Sequence, residues 1–307
     1  MSDVVSDVSG QRRIEVLDEL TPEQVRDVRR LLEESAAEDG QPTVSEQGRL
    51  QLKGRRGGCG TSCCTMRTGR SSATGSWRTA TPWRPRPSEF VVHPAHRGRG
   101  HGRVLGNALL GQSGKRLRVW AHGGHPAARH LAQVLGMSLF RELRQMRRPL
   151  HGLDLAEPVL PEGVTVRTFR PGKDDAAWLA VNAAAFSHHP EQGSLTQRDL
   201  DDRKAEAWFD PEGFFLAEKS GEIVGFHWTK VHADEGLGEV YVVGVLPGAQ
   251  GGGLGKALTT IGLRHLADRG LPTAMLYVDA DNVAAVTVYE RLGFLIHETD
   301  LMYRTES

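Results

Sequence analysis

Cysteine is scarce and badly placed for structural work: three residues in 307, Cys59, Cys63 and Cys64, crowded together. Both a disulfide framework and a zinc site want distributed pairs, so that spacing argues against either, and no metal is expected. Net charge is lacking too, with 38 Lys and Arg against 38 Asp and Glu. Nothing global therefore favours nucleic acid or an anionic membrane as a partner. No apolar run reaches the roughly 20 residues needed to cross a bilayer. The start, Met1-Ser2-Asp3-Val4, has no basic-then-apolar leader. The expectation is a soluble, cytoplasmic monomer. Two nucleotide signatures are also missing: a Gly-x-x-x-x-Gly-Lys-Ser/Thr run, and a Gly-x-Gly-x-x-Gly ahead of a ribose-binding acid.

The sharpest absence is local. From Gly54 to Pro87 there is no Leu, Ile, Val, Phe, Asp or Glu, and Arg, Gly, Ser, Thr, Trp and Pro dominate. Strands need β-branched and aromatic residues alternating with polar ones, so this stretch cannot bury a strand face. Disorder is one reading of such a composition. A slip of reading frame is the other. With a suitable choice of GC-rich codons, and read one base out of step, Thr61 to Trp83 can give an apolar strand, an Asp-Gly turn and a second strand. The nucleotide sequence distinguishes the two. On either reading the cysteines, and Arg55, Arg56, Arg67 and Arg70, are not a redox or nucleic-acid site.

What is present is a phrase written twice. One copy runs Phe90-Val91-Val92-His93-Pro94-Ala95-His96-Arg97-Gly98-Arg99-Gly100-His101-Gly102-Arg103. The other runs Val243-Gly244-Val245-Leu246-Pro247-Gly248-Ala249-Gln250-Gly251-Gly252-Gly253-Leu254-Gly255-Lys256. Each is an apolar run, a proline turn, then a Gln/Arg-x-x-Gly-x-Gly loop feeding an amphipathic helix. Glycines admit close approach of a ligand to the backbone, and the amides at a helix start suit a pyrophosphate. Two copies imply two domains of one fold. Downstream of the second loop, Tyr277-Val278-Asp279-Ala280-Asp281-Asn282-Val283-Ala284-Ala285-Val286-Thr287-Val288-Tyr289 leads to Leu292-Gly293-Phe294. This reads as strand, Asn start signal, helix and exit. The first copy has Val119-Trp120-Ala121-His122-Gly123-Gly124-His125-Pro126 and Leu135-Gly136-Met137.

The combination resembles the GCN5-related N-acetyltransferase (GNAT) family, and more closely its tandem members that acetylate a cysteinyl-glucosaminyl-inositol. Further phrases carry that likeness: Phe186-Ser187-His188-His189-Pro190-Glu191-Gln192-Gly193, Trp208-Phe209-Asp210-Pro211, Gly225-Phe226-His227-Trp228-Thr229-Lys230-Val231-His232 and Gly236-Leu237-Gly238-Glu239-Val240-Tyr241. The resemblance implies an α+β fold of two tandem domains, each a mixed, mostly antiparallel sheet flanked by helices. The expected boundaries are 10–150 for a degenerate first domain, 151–160 for a linker and 161–305 for the catalytic second domain.

By resemblance, acetyl-CoA is the donor and no metal takes part. Val243–Val245 contact its pantetheine and acetyl group, Gln250–Lys256 hold its pyrophosphate, and Asn282–Thr287 add contacts. Gly244 fits a β-bulge that frees a backbone N–H for the thioester oxygen. A strand carboxylate can take the proton of the attacking ammonium, and the likeness assigns this to Glu239. Tyr289, two helical turns after Asn282, is placed to protonate the departing thiolate. Taken alone, Glu239 also reads as a solvated strand-edge residue and Tyr289 as a core aromatic. Glu46, Glu191, Lys230, Glu239 and Tyr277 match positions that hold the acceptor. His188, His189, His227 and His232 read as surface or pocket residues, since no carboxylate pairs with them at ligand spacing.

The first domain reads as non-catalytic. Aligned by the prolines, His125 takes the place of Asn282, Ala132 that of Tyr289 and Arg86 that of Glu239; alanine donates no proton and arginine accepts none. Its loop keeps the glycines, so Phe90–Val92 and Arg97–Gly102 are retained as a candidate cofactor site. The expected reaction is acetylation of the cysteinyl amine of desacetylmycothiol, by direct attack without an acyl-cysteine. Two alternatives stay open: another amine, such as a protein N-terminus or an aminoglycoside, and a non-catalytic acetyl-CoA-binding module.

Overall fold

The computed structural model describes residues 3–6, 13–17, 20–45, 48–49, 61–68, 71–78, 88–113, 116–152, 156–189 and 192–306. In chain order the elements are β1 (Asp3–Ser6), β2 (Arg13–Leu17), α1 (Pro22–Asp39), β3 (Thr61–Thr68), β4 (Ser71–Arg78), β5 (Glu89–Val92), α2 (His101–Gln112), β6 (Arg118–Ala121), α3 (Pro126–Val134) and β7 (Met137–Pro149). There follow β8 (Val164–Thr168), α4 (Asp175–Ala185), α5 (Gln197–Lys204), β9 (Phe214–Lys219), β10 (Glu222–His232), β11 (Leu237–Val245), α6 (Leu254–Asp268), β12 (Thr273–Asp279), α7 (Val283–Arg291) and β13 (Leu295–Thr305). None of the helices among the described residues is long and apolar enough to cross a membrane.

The chain divides into two compact units, 1–143 with 298–307, and 144–297. The sequential division expected from the repeat places residues 298–305 in the second domain. They group with the first because Leu301–Arg304 pair antiparallel with Ala121–Arg118 on β6.

In the first unit β1 to β5 form an antiparallel sheet in sequence order. This corrects the expectation that residues 54–87 supply no strand. Thr61–Thr68 and Ser71–Arg78 pair along their whole length, and β2 and β5 flank them. A strand is defined by backbone pairing with its neighbours, and tertiary context overrides side-chain propensity there. Helix α1 is bounded by local chemistry: a capping box between Thr21 and Gln24 starts it, and Gly40 in the left-handed region (φ 71°) ends it. Ile14, Leu105, Leu109, Leu117 and Val119 make the core, with Tyr303 of the last strand packed on it.

In the second unit the strands lie in the order β8, β9, β10, β11, β12. Pairings are antiparallel as far as β11, and β11 runs parallel to β12. The β9–β10 hairpin turns at Ser220 and Gly221, both with positive φ (54° and 84°), a turn whose twist matches the strands. One face buries Trp178, Phe214, Phe226 and Trp228, with Phe214 stacked on Trp228 at 4.5 Å. Leu263 and Leu266 of α6 pack with Val240 and Leu276.

Candidate active site

Strand β11 carries the site because its two neighbours treat it differently. Toward β12 it pairs only from Leu237↔Thr273 to Val240↔Leu276, and beyond that point the strands part. Toward β10 the pairing continues to Gly225↔Val245, but its register shifts between Trp228 and Thr229, whose partners are Val242 and Val240. Tyr241 is the extra residue. The bulge therefore sits at Tyr241, where the sheet splays, and not at Gly244 as the sequence suggested. Gly244 faces Phe226 in regular register. It is glycine because a Cβ there would lie 2.6 Å from the Phe226 ring and 3.1 Å from Phe186. In antiparallel pairing only alternate residues give both backbone groups to the partner, so alternate N–H groups of residues 242–245 face the open side.

At the end of β11 the glycine loop closes back on the strand. Gln250 Nε2 donates to Val245 O at 3.1 Å. Gly251 and Gly253 take φ of 86° and 81°, and Gly253 caps α6 without any side-chain hydrogen bond. A Cβ at either would meet nothing within 4 Å, so conformation rather than crowding demands glycine, and the loop backbone stays approachable. With Lys256 exposed in the first turn, the donor set suits an anionic pyrophosphate. Leu254 is buried in the core and can offer only its backbone. The α7 start behaves similarly: Asn282 Oδ1 accepts from Ala285 N at 3.2 Å, Val283 and Ala284 are exposed, and Val286 is a core residue. Leu254 and Val286 thus turn their side chains into the core, which leaves their backbone groups as what each position can present to a cofactor.

Glu239 is buried, 6% exposed, and sits opposite Lys230 on β10 and Met275 on β12. Its Oε2 lies 2.7 Å from His232 Nε2. Lys230, also buried, holds its ammonium 4.6 Å from the Trp208 ring centre and 5.3 Å from that of Tyr241. The bulged Tyr241 accepts a hydrogen bond from Arg203 Nε at 2.9 Å. Tyr277, 41% exposed, accepts from Gln145 Nε2 at 2.8 Å, and Gln145 Oε1 accepts from Arg147 Nε. Tyr289 on α7 packs against Phe294 beyond the helix end, and burial pushes its hydroxyl up to about 12, which keeps it a proton donor at neutral pH. Glu46, Glu191 and Arg86 lie outside the described residues.

His232, Arg203, Trp208 and Gln145 escaped the sequence reading as site residues. Only His232 had a usable signal, a position on the strand that pairs with Glu239. The other histidines scatter. His227 is fully buried on Leu258 O at 2.7 Å and pushed down to about 4 by burial; His189 faces Asp279 at 3.6 Å; His188 is exposed. No group of three metal-ligating side chains occurs among the described residues.

The first unit repeats the loop closely. Arg97 Nε donates to Val92 O at 3.1 Å, as Gln250 does to Val245, and its other nitrogens clasp Asp39. Gly98 and Gly100 have φ of 71° and 78°. His125 caps α3 as Asn282 caps α7, both helices have nine residues, and the step held by Tyr289 is buried Ala132. What differs is the place where the strands part. Ser88 makes a parallel bridge to Val119. Next to it the carboxylate of Glu89 meets His122 at 3.0 Å, and His122 meets Asp300 at 2.8 Å. Ser45 donates to Glu89 from both N and Oγ, and Gly123 N donates to Asp300. Burial alone would lower His122, but its hydrogen bonds to Asp300 and Glu89 and their charges outweigh it and push it up to about 10. Burial likewise opposes the charge on Glu89, yet His122 and Ser45 hold it below the ordinary carboxylate range.

Comparison with known proteins agrees with this architecture. A family model described as the acetyltransferase (GNAT) family matches residues 181–294. The chain is 72% identical to a mycothiol acetyltransferase of Streptomyces coelicolor over 96% of each chain. Among solved structures, a GCN5-related N-acetyltransferase of Sphaerobacter thermophilus superposes with a TM-score of 0.66 at 25% identity, covering 95% of both chains. A tandem GNAT protein from the clavulanic acid pathway gives a TM-score of 0.71 at 17% identity, covering 95% of this chain and 98% of its own, and shares the fold. With buried Glu239 at the splay of β11 and the glycine loop closing its end, the chain belongs to the mycothiol acetyltransferases, within the GCN5-related N-acetyltransferase family.

Proposed function

We propose that the second unit moves an acetyl group from acetyl-CoA to the cysteinyl amine of desacetylmycothiol. The observation that carries this reading is the buried carboxylate of Glu239 at the point where β11 and β12 part. The Gln250–Lys256 loop holds the pyrophosphate with its amides and Lys256. The backbone N–H groups of residues 242–245 that face away from β10 polarise the thioester carbonyl. Glu239 takes the proton of the acceptor's ammonium, freeing the lone pair for direct attack. Tyr289 returns a proton to the departing sulfur. The acceptor's hydroxyls and ammonium suit the Lys230, Tyr277 and Glu239 side chains, with Glu191 and Glu46 expected to add carboxylates. The first unit retains its loop as a cofactor-binding element but has Ala132 where an acid is needed.

Incubating the purified protein with acetyl-CoA and desacetylmycothiol should give an N-acetylated product by mass spectrometry, with CoA release that depends on the acceptor. Faster release with an aminoglycoside or a peptide N-terminus than with desacetylmycothiol would overturn the acceptor assignment. Tyr289→Phe should lower kcat by about 10²-fold at neutral pH, with the acetyl-CoA KM little changed. Undiminished turnover in a stopped-flow thiol assay would remove Tyr289 as the acid.

A further inference from the structure

We propose that His232 is a positioning residue for Glu239, aiming one oxygen of its carboxylate at the acceptor nitrogen; the inference rests on the acetyl-transfer reading above. The geometry is specific. His232 stands opposite Leu237, and Glu239 lies two residues further along the same strand as Leu237, so the imidazole reaches it diagonally across the β10–β11 pair. Nε2 to Oε2 is 2.7 Å. The Glu239 side chain is 8% exposed and that of His232 21%, so the carboxylate is the more deeply buried of the two. Among the described residues no hydrogen bond is made to the other oxygen, Oε1. The side chain therefore has one oxygen engaged and one available.

A buried carboxylate with three rotatable bonds has several rotamers, and only those that bring an oxygen within about 3 Å of the ammonium can take its proton. The His232 bond selects among them. With Nε2 carrying its hydrogen, the imidazole donates to Oε2 and fixes the plane of the carboxylate. This is the arrangement by which a partner orients an acid–base group without touching substrate. Lys230 lies two residues from His232 on the same face of β10, with its ammonium over Trp208 and Tyr241. The β10 face thus supplies two donors with separate tasks.

His232→Ala should lower kcat about 10- to 100-fold with the KM for acetyl-CoA unchanged, since the cofactor loop is untouched. His232→Gln, whose amide can donate to Oε2, should recover most of the loss. In the double variant with Glu239→Gln, the His232→Ala change should cost nothing further, because the group it aims is gone. The idea is overturned if His232→Ala keeps wild-type kcat, if Gln is no better than Ala, or if the two losses multiply. If Glu239→Gln is slow while His232→Ala is not, only the positioning role falls. If Glu239→Gln itself turns over normally, the base assignment falls and takes this role with it.

Discussion

Glu239→Gln should lower kcat by about 10²- to 10⁴-fold, the span a positioned general base contributes, with little change in the affinity for acetyl-CoA. The amide is nearly isosteric, and its oxygen can still accept from His232, so the β10–β11 hairpin has no reason to shift. What it loses is the ability to accept a proton. An α-amino group, with an ordinary pKa of about 7.7 to 8.0, is mostly ammonium at neutral pH, and an ammonium has no lone pair for the thioester carbon. The loss therefore belongs in kcat, since the carboxylate acts on the acceptor and the Gln250–Lys256 loop carries the cofactor. Steady-state kinetics against both substrates, with a thermal melt as control, make the check. Wild-type kcat in a well-folded variant would exclude Glu239 as the base.

His122→Ala should destabilise the first unit by about 3 to 5 kcal/mol, as expected when one member of a buried ionic network is removed. The imidazole lies between Glu89 and Asp300, and its loss leaves two carboxylates facing each other with their common cation gone. The pH dependence gives a second reading. His122 is held up at about 10, against about 6.5 in an unfolded chain, so its stabilisation is complete below about pH 6.5 and is lost as pH rises through 10. Glu89 is shifted the other way, so its share is present above its ordinary value near 4.5 and is lost as pH falls through the lower folded one. Urea denaturation at several pH values should show wild type and variant far apart near neutrality and converging toward pH 10. A gap that does not narrow on the alkaline side would refute the charged network.

The parts of this molecule legible in the chain were those encoded locally. Gly251 and Gly253 announce their loop because only glycine takes their φ without strain, and the same holds for Gly98 and Gly100. Asn282 and His125 mark helix starts because a cap acts over two or three residues. The reading failed where structure depends on distant partners. The bulge went to Gly244 because glycine is a frequent bulge residue, whereas the register is set by β10 and puts it at Tyr241. Gln145 reaches Tyr277 from another strand, 132 residues away, and no spacing rule finds it. Helix α5 passed unmarked because Gln197–Lys204 is short and almost wholly polar, with Leu200 as its one buried residue. Residues 61–78 are the instructive case. Their side chains argue against strands, yet the backbone of Thr61–Thr68 pairs antiparallel with that of Ser71–Arg78.

Because Leu301–Arg304 complete the pairing of β6, and Asp300 supplies one of the two acids around His122, the first half of the protein is finished by residues about 180 positions downstream. On a ribosome, the unit translated first must wait with an unsatisfied strand edge until residues 301–304 have been made and can reach it. Removing residues 298–307 would accordingly injure the amino-terminal half.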